Sequence, residues 1–197
     1  MNIIHRFFRK IKQLIKPTYQ NIHKTASVAP DIMVYNPNYL VMEENTRISS
    51  KSIIMNVYAK FIMKRYSGAA VNLTVITGNH PQIPGRYYRT ISKKKENLDI
   101  SLYDKDVIVN EDVWIGCNVT LLSGVTIGRS SIIAAGSVVT KSMPPYCVIA
   151  GVPAKPIKIK WTIDEIIFHE QTLFSKEEQY SKEWLLEEFA KYNLKVQ

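Results

Sequence analysis

A six-residue repeat runs through the second half of this sequence and restricts the folds that it can adopt. Small residues such as Gly116, Gly128 and Ala134 often follow its aliphatic positions. An α-helix would repeat every 3.6 residues and a strand every two, so a period of six indicates short extended faces separated by corners. Three such faces close one triangular coil of about 18 residues, and successive coils stack. The aliphatic positions are Val109, Ile115, Leu121, Ile127, Ile133 and Val139.

The same period occurs less regularly in the first half of the chain. The slip between two registers, around residues 46–56, predicts an irregular coil. Residues 79–106 contain prolines, Gly85 and the basic run Lys93–Lys95, and they break the repeat. We therefore expect a loop that projects from a rigid solenoid, which is where functional residues concentrate. The two registers comprise Val28, Val34 and Leu40, followed by Val57, Met63, Ala69 and Val75.

The composition excludes several classes of protein. Apolar residues make up 46% of the 197 positions, so the chain can bury a core. The two cysteines, Cys117 and Cys147, exclude a disulfide scaffold, and neither belongs to a zinc-ribbon motif. No segment has the length and apolarity of a membrane span or the pattern of a signal peptide, so we expect a cytoplasmic protein. The net charge of +9 favours a negatively charged partner or substrate.

The two ends of the chain have helical patterns. Residues 1–24 include a basic amphipathic helix predicted at 2–15. It either lies on an anionic membrane, which would make the protein peripheral at the inner face, or packs on the solenoid or a neighbouring subunit. The β-helix is expected over 25–160. Residues 161–197 carry two capping-box patterns and predict helices at 163–172 and 176–192. Those patterns are Thr162–Glu165 and Ser175–Glu178.

Four segments of the repeat region resemble the hexapeptide-repeat acyltransferases. They are Val107–Gly116, Val125–Gly128, Ala134–Lys141 and Val148–Lys155. The likeness is greatest to sugar and polysaccharide O-acetyltransferases, with galactoside, maltose and xenobiotic acetyltransferases as relatives. It covers about residues 25–160. It implies a mainly β fold, a left-handed parallel β-helix, a homotrimer and acetyl-CoA as the acyl donor, with no bound metal.

In this family a histidine at the start of the protruding loop is the general base, and here that residue is His80, in Thr77–Pro81. Imidazole suits the role because it titrates near neutrality. The resemblance also assigns the backbone N–H of Cys117 to the oxyanion, and places Trp114 near the acceptor or the pantetheine arm. A further group must orient His80. The candidates are Asp104, Asp106, Glu111 and Asp112.

The resemblance also suggests residues that bind the two substrates. Ala135 and Thr140 align with a groove for coenzyme A between subunits, and Lys155 and Lys158 align with residues at its phosphates. For a carbohydrate acceptor, aromatic faces stack on sugar rings and arginines suit anionic groups. The acceptor candidates are Asn79, Arg86, Tyr88 and Trp114.

Several alternatives remain open at this stage. Within the acyltransferases, the acceptor is a glycan, a nucleotide-linked amino sugar, or an antibiotic or other xenobiotic. A gamma-type carbonic anhydrase would need three histidine ligands, and only His80 lies in the convincing solenoid-and-loop region. A solenoid that serves as a structural or binding scaffold is the non-enzymatic alternative. No nucleic-acid-binding motif is present, so a nucleic-acid partner is not expected. The other histidines are His5, His23 and His169.

Overall fold

The repeat folds as a parallel β-helix in the computed structural model, which describes residues 19–195. The helix predicted at 2–15 lies outside this range. Three sheets form the faces of the solenoid, and the chain passes from sheet I to sheet II to sheet III in each coil. Neighbouring strands pair in parallel, except for the antiparallel pair at the C-terminal end of sheet I.

The strands are short, as expected for coils with three corners. Sheet I contains β1 (Ser27–Val28), β4 (Arg47–Ile48), β7 (Gly68–Ala69), β10 (Trp114–Ile115), β13 (Ile132–Ile133), β15 (Cys147–Gly151) and β16 (Ala154–Ile159). Sheet II contains β2 (Met33–Val34), β5 (Ile53–Met55), β8 (Thr74–Ile76), β11 (Thr120–Leu121) and β14 (Val138–Val139). Sheet III contains β3 (Leu40–Met42), β6 (Phe61–Met63), β9 (Val107–Val109) and β12 (Thr126–Ile127).

The aliphatic residues of the regular repeat fill the interior of the solenoid. Ile115 pairs in register with Ile133, and Leu121 pairs with Val139, so each inward side chain stacks on its counterpart one coil away. All six positions of the regular repeat are 0% exposed. Burial of this apolar column is the main source of stability, and the prediction of triangular coils is confirmed.

The coils of the first half are longer, and one predicted inward position there is wrong. Val57 is 43% exposed, whereas Ile48 and Ile54, which the period missed, are buried in the core. Extra residues between sheets II and III displace the register, because the step from Val34 to Met42 is eight residues and the step from Ile54 to Met63 is nine, instead of six. The register therefore slips on either side of residues 46–56 and not within them. The predicted positions Leu40, Met63, Ala69 and Val75 are buried.

A recurring backbone conformation makes the corner between sheets III and I. One residue per coil has a φ between 54° and 62° there, the left-handed region that most side chains disfavour. A chain that must turn sharply between two short strands adopts this conformation even with bulky residues. Stacking of successive coils fixes it, because the same corner recurs directly above and below. The residues are Asn45, Tyr66, Asp112, Ser130 and Tyr146.

Two helices follow the solenoid. Helix α1 (Ile163–Leu173) begins at the predicted capping box, in which Thr162 and Glu165 hydrogen-bond reciprocally. Helix α2 (Lys182–Ala190) starts six residues later than predicted, and Ser181 caps it. The predicted cap at Ser175 forms only a turn, because the Tyr180 N–H donates to the Glu170 carboxylate instead of continuing a helix. Within residues 19–195, neither helix has the length and apolarity needed to cross a bilayer.

A buried cation attaches these helices to the solenoid. The Arg129 guanidinium contacts the Glu111 carboxylate at 3.2 Å and the Glu170 carboxylate of α1 at 2.8 Å. Its carbon lies 3.7 Å from the centroid of the Phe174 ring. Since buried charges are costly unless they are paired, this network fixes how α1 packs on the coils.

Candidate active site

The protruding loop leaves the solenoid between β8 and β9, and hydrogen bonds close its base. The Asn79 N–H donates to the Tyr103 carbonyl at 3.0 Å, and the Lys105 N–H donates to the Thr77 carbonyl at 2.9 Å. Gly78 and Asp104 form an isolated bridge between these contacts. The paired base holds His80 at the junction between the rigid coils and the loop.

His80 lines a cleft of about 400 Å³ between the loop and the solenoid. Apolar side chains from the coils, including Met55 and Ile76, form one wall. The His80 ring meets the ring of Tyr88 edge to face, with centroids 5.7 Å apart. The combination of an apolar wall with convergent polar groups is typical of a small-molecule site. The remaining polar lining comes from Asn79, Ser92, Lys93, Lys94 and Asp104.

Asp104 is the only one of the four proposed orienting carboxylates that lines this cleft. It is ion-paired with Lys93, and the side chains are only 4% and 13% exposed. The Lys93 ammonium also faces the rings of Tyr58 and Tyr103, at 5.7 and 5.6 Å from their centroids. The pair therefore holds the loop against the solenoid within the cleft that His80 lines. The sequence showed Lys93 only as part of a charged run and gave no signal for Tyr58.

The other three carboxylates have structural partners away from the cleft. Hydrogen bonding and nearby cations lower the pKa of Glu111 overall, although burial, the largest influence, opposes them. All three partners lie at coil corners or at the interface with the helices. Asp106 accepts from the Lys60 N–H at 2.7 Å, Glu111 contacts Arg129 at 3.2 Å, and Asp112 accepts from the Ser130 hydroxyl at 2.5 Å.

Arg86 is used within the loop itself. Its guanidinium makes two contacts with the Glu96 carboxylate, at 2.8 and 2.9 Å, and donates to the Thr90 carbonyl at 3.1 Å. A paired and bidentate guanidinium has little capacity left for a ligand. Its predicted role in acceptor binding therefore lacks geometric support, whereas Tyr88 packs against the His80 ring and Asn79 lines the same cleft.

A second group of predicted residues lies at the corner between sheets I and II. Continuing the register of β10, β13 and β15 stacks Cys117, Ala135 and Gly151, which we call the cysteine corner. A β-carbon on the adjacent Gly116 would lie 2.7 Å from the Ala135 nitrogen, so the coils approach too closely there for any other residue. The Cys117 carbonyl accepts from the Gly136 N–H at 2.9 Å, which fixes this peptide.

The remaining candidates extend from the cysteine corner along sheet I. Trp114 is 54% exposed on the outer face of β10. Lys155 pairs with Ala150 across β15 and β16, near the end of the cysteine corner, and Lys158 pairs with Val148 farther along. Both lysines are exposed. Burial raises the pKa of the other cysteine, Cys147, to about 12, so that thiol stays protonated.

Thr140 lies apart from these residues, directly after β14. Continuing the register places it two coils from Ile76, roughly 10 Å away at the usual strand spacing, at the corner between sheets II and III where the His80 loop begins. We call Asn79, His80 and Thr140 the histidine corner. Within one chain, the histidine corner and the cysteine corner are different corners of the triangle.

The described part of the chain shows no metal centre. Among residues 19–195, no three His, Cys, Asp or Glu side chains converge as metal ligands. His23 hydrogen-bonds Thr25 at 2.9 Å near the first coil, and His169 packs on the Tyr146 ring from α1. Neither lies in the cleft that holds His80.

The family model of the bacterial transferase hexapeptide, with six repeats, matches residues 106–141. A probable macrolide acetyltransferase of Lysinibacillus sphaericus is 39% identical over 109 residues, covering 55% of this chain and 57% of the relative. The galactoside O-acetyltransferase of Escherichia coli K12 is 32% identical over 159 residues, covering 76% of this chain and 68% of the enzyme. The chain thus spans between about half and two thirds of the length of these relatives.

A solved structure has the same fold. A hexapeptide-repeat acetyltransferase from Vibrio cholerae, in complex with acetyl coenzyme A, has a TM-score of 0.59 and 20% identity, covering 81% of this chain and 78% of that one. The triangular coils, the projecting loop and the extent of the galactoside O-acetyltransferase alignment agree with the resemblance in the repeat motifs. The chain belongs to the hexapeptide-repeat acyltransferases, whose fold is the left-handed parallel β-helix.

Proposed function

We propose that this protein transfers an acetyl group from acetyl-CoA to a hydroxyl of a sugar or cell-surface polysaccharide precursor, with His80 as the general base. The position of His80 carries the proposal, since this residue lines the cleft at the junction of solenoid and loop. Similarity to a galactoside O-acetyltransferase over 76% of the chain supports the acceptor class and the acyl group.

The reaction needs a proton to be moved twice. His80 takes the proton of the acceptor hydroxyl as the oxygen attacks the thioester carbonyl, and a tetrahedral intermediate forms. Collapse of the intermediate breaks the carbon–sulfur bond, and His80 returns the proton to the departing thiolate of coenzyme A. Such a base contributes about 10²–10⁴ in rate.

The developing oxyanion needs a fixed donor, and the Cys117 N–H supplies it in our proposal. The Gly116 N–H donates to the Ile133 carbonyl at 2.8 Å and the Cys117 carbonyl accepts from the Gly136 N–H at 2.9 Å, so hydrogen bonds hold the backbone on both sides of the Cys117 N–H. A preorganised backbone donor stabilises negative charge without any reorganisation during the reaction. The thiol itself has no role, so Cys117→Ala should keep its activity.

The cysteine corner is a suitable path for the pantetheine arm of acetyl-CoA. Cys117, Ala135 and Gly151 are small, so a thin chain can run along the coils past them. Lys155 lies near the end of this path and Lys158 beyond it, where their ammonium groups would meet the nucleotide phosphates. Trp114, exposed beside the path, contacts the arm or the acceptor. Thr140, at the histidine corner, lines the groove for coenzyme A from the neighbouring chain.

These assignments require a second copy of the chain. His80 and Cys117 belong to different corners of the same solenoid. In a homotrimer, the histidine corner of one copy faces the cysteine corner of the next, and each site takes its base from one chain and its oxyanion donor from another. A closed cyclic assembly gives three identical sites of this kind.

The test is CoA release from acetyl-CoA against a panel of sugars and oligosaccharides. Wild type should release CoA only with an acceptor, and His80→Ala should lose at least about a hundredfold in kcat/KM. His23→Ala is the matched control, because that histidine lies near the first coil, and it should be fully active. Equal rates for wild type and His80→Ala would contradict the assignment of the base.

Similarity to a probable macrolide acetyltransferase favours a second candidate acceptor, an antibiotic hydroxyl. Macrolides therefore belong in the same panel. A kcat/KM for a macrolide well above that of every sugar would replace the carbohydrate proposal and leave the role of His80 unchanged.

A further inference from the structure

The charges around the cleft suggest what kind of acceptor enters it. Lys93 and Lys94 both line the cleft, and their ammonium groups lie 5.7 and 5.9 Å from the centroid of the same Tyr58 ring. Asp104 is the one carboxylate in the lining. Two cations and one anion leave a net positive charge in the cleft that His80 lines.

The two lysines differ in how that charge is used. Lys93 is 13% exposed and ion-paired with Asp104, so its charge is largely neutralised. The salt bridges that the structure gives the loop within residues 19–195 are Lys93–Asp104 and Arg86–Glu96, and neither includes Lys94. The Lys94 ammonium is therefore the cation in the cleft that can receive an anionic group.

Tyr58 completes the arrangement. Its ring is 38% exposed, lines the cleft and faces both ammonium groups. An aromatic face binds the apolar face of a sugar ring, while a cation beside it binds a charged substituent on that ring. These two contacts would present a neighbouring hydroxyl to His80 from a fixed direction.

We propose that the acceptor is an acidic sugar, bearing a carboxylate or a phosphate, and that Lys94 beside Tyr58 is the residue that selects it. This inference rests on the proposed acetyl transfer and refines its substrate class. In this inference Lys94 recognises the negative charge of the acceptor, and Arg86 does not, because Arg86 is ion-paired with Glu96.

The experiment compares acceptors that differ in one charged substituent. One pair is methyl β-D-glucuronide and its methyl ester, and the other is glucose 6-phosphate and glucose. Wild type should prefer the charged member of at least one pair by about tenfold in kcat/KM, as expected for a hydrogen bond to a charged group. The pair that shows the preference identifies the anionic group.

Lys94→Gln should abolish the preference and leave the neutral acceptors unchanged. Lys95→Gln is the matched control, because Lys95 is exposed on the same loop and does not line the cleft. Equal use of charged and neutral acceptors by wild type would overturn the inference. An equal loss for both members in Lys94→Gln would also overturn it, since that result indicates a structural role for the lysine.

A measurement of acceptor binding tests this inference independently of the proposed acetyl transfer. Saturation-transfer NMR with His80→Ala reports whether methyl β-D-glucuronide binds more tightly than its ester without any turnover. Charge-dependent binding that Lys94→Gln removes would support the acidic-sugar site even if no acceptor is acetylated. Equal binding of methyl β-D-glucuronide and its ester would refute the acidic-sugar site even if neutral sugars are acetylated.

Discussion

Gly78→Ala should release the loop from the solenoid. A β-carbon at this position would lie 1.9 Å from Oδ1 and 2.8 Å from Cγ of Asp104, far inside van der Waals contact. The carboxylate must rotate away, which breaks its ion pair with Lys93. Since the Asp104 and Lys93 side chains are 4% and 13% exposed, the stranded ammonium costs about 3 kcal/mol. The loop can open locally at that cost, and the coils need not unfold.

Limited trypsin digestion measures this opening at Lys93–Lys95. We expect cleavage at least about tenfold faster in Gly78→Ala than in wild type, with little change in the thermal unfolding midpoint of the solenoid. Gly68→Ala is the control, because its β-carbon would approach only the Trp114 ring, at 3.7 Å. Equal cleavage of the two variants would mean that Asp104 moves aside freely and that the ion pair does not hold the loop.

Two further predictions concern the attachment of the helices. Arg129→Met leaves the buried Glu111 and Glu170 carboxylates without their guanidinium, so the free energy of unfolding in urea should fall by about 3–5 kcal/mol; a fall below about 1 kcal/mol would contradict the role of this network. Burial lowers the pKa of His169, with Asp112 partly opposing it, so the unfolded chain binds its proton more readily. Stability is then complete above the ordinary imidazole pKa of about 6.5 and decreases as the pH falls through that value towards the lower folded pKa. Melting temperatures between about pH 8 and pH 5.5 should show this decrease in wild type, and His169→Gln should lack that part of it.

The regular half of the solenoid was predictable because its period reports directly which side chain points inward. Ile115, Ile127 and Ile133 recur at six-residue steps, and each lies in the core. The first half was predicted less well, since the connection between sheets II and III can hold extra residues, as it does between Ile54 and Met63, while both ends stay buried. Once that happens, an exposed residue such as Val57 falls on the expected step.

The predicted site was less complete than the predicted fold. The motif around His80 identified a histidine that lines the cleft, because the loop begins directly after a strand. The Lys93–Asp104 pair was not recognisable, since it depends on how the two ends of the loop meet in space. Arg86 was proposed as an acceptor ligand from its residue type alone, and its bidentate contact with Glu96 is a tertiary feature that a single sequence does not reveal.

Mixed oligomers test most directly whether His80 works with the cysteine corner of another copy. His80→Ala lacks the proposed base, and Ala135→Trp fills the proposed pantetheine path, so each variant alone should be inactive. Co-expression with two different tags and purification on both yields oligomers that contain both chains. A mixed trimer contains two chains of one variant and one chain of the other. In both compositions, one site in three combines an intact histidine with an intact path, so the mixture should regain about a third of the wild-type rate. No activity in the mixed oligomers would place both halves of the site in one chain and contradict the shared site.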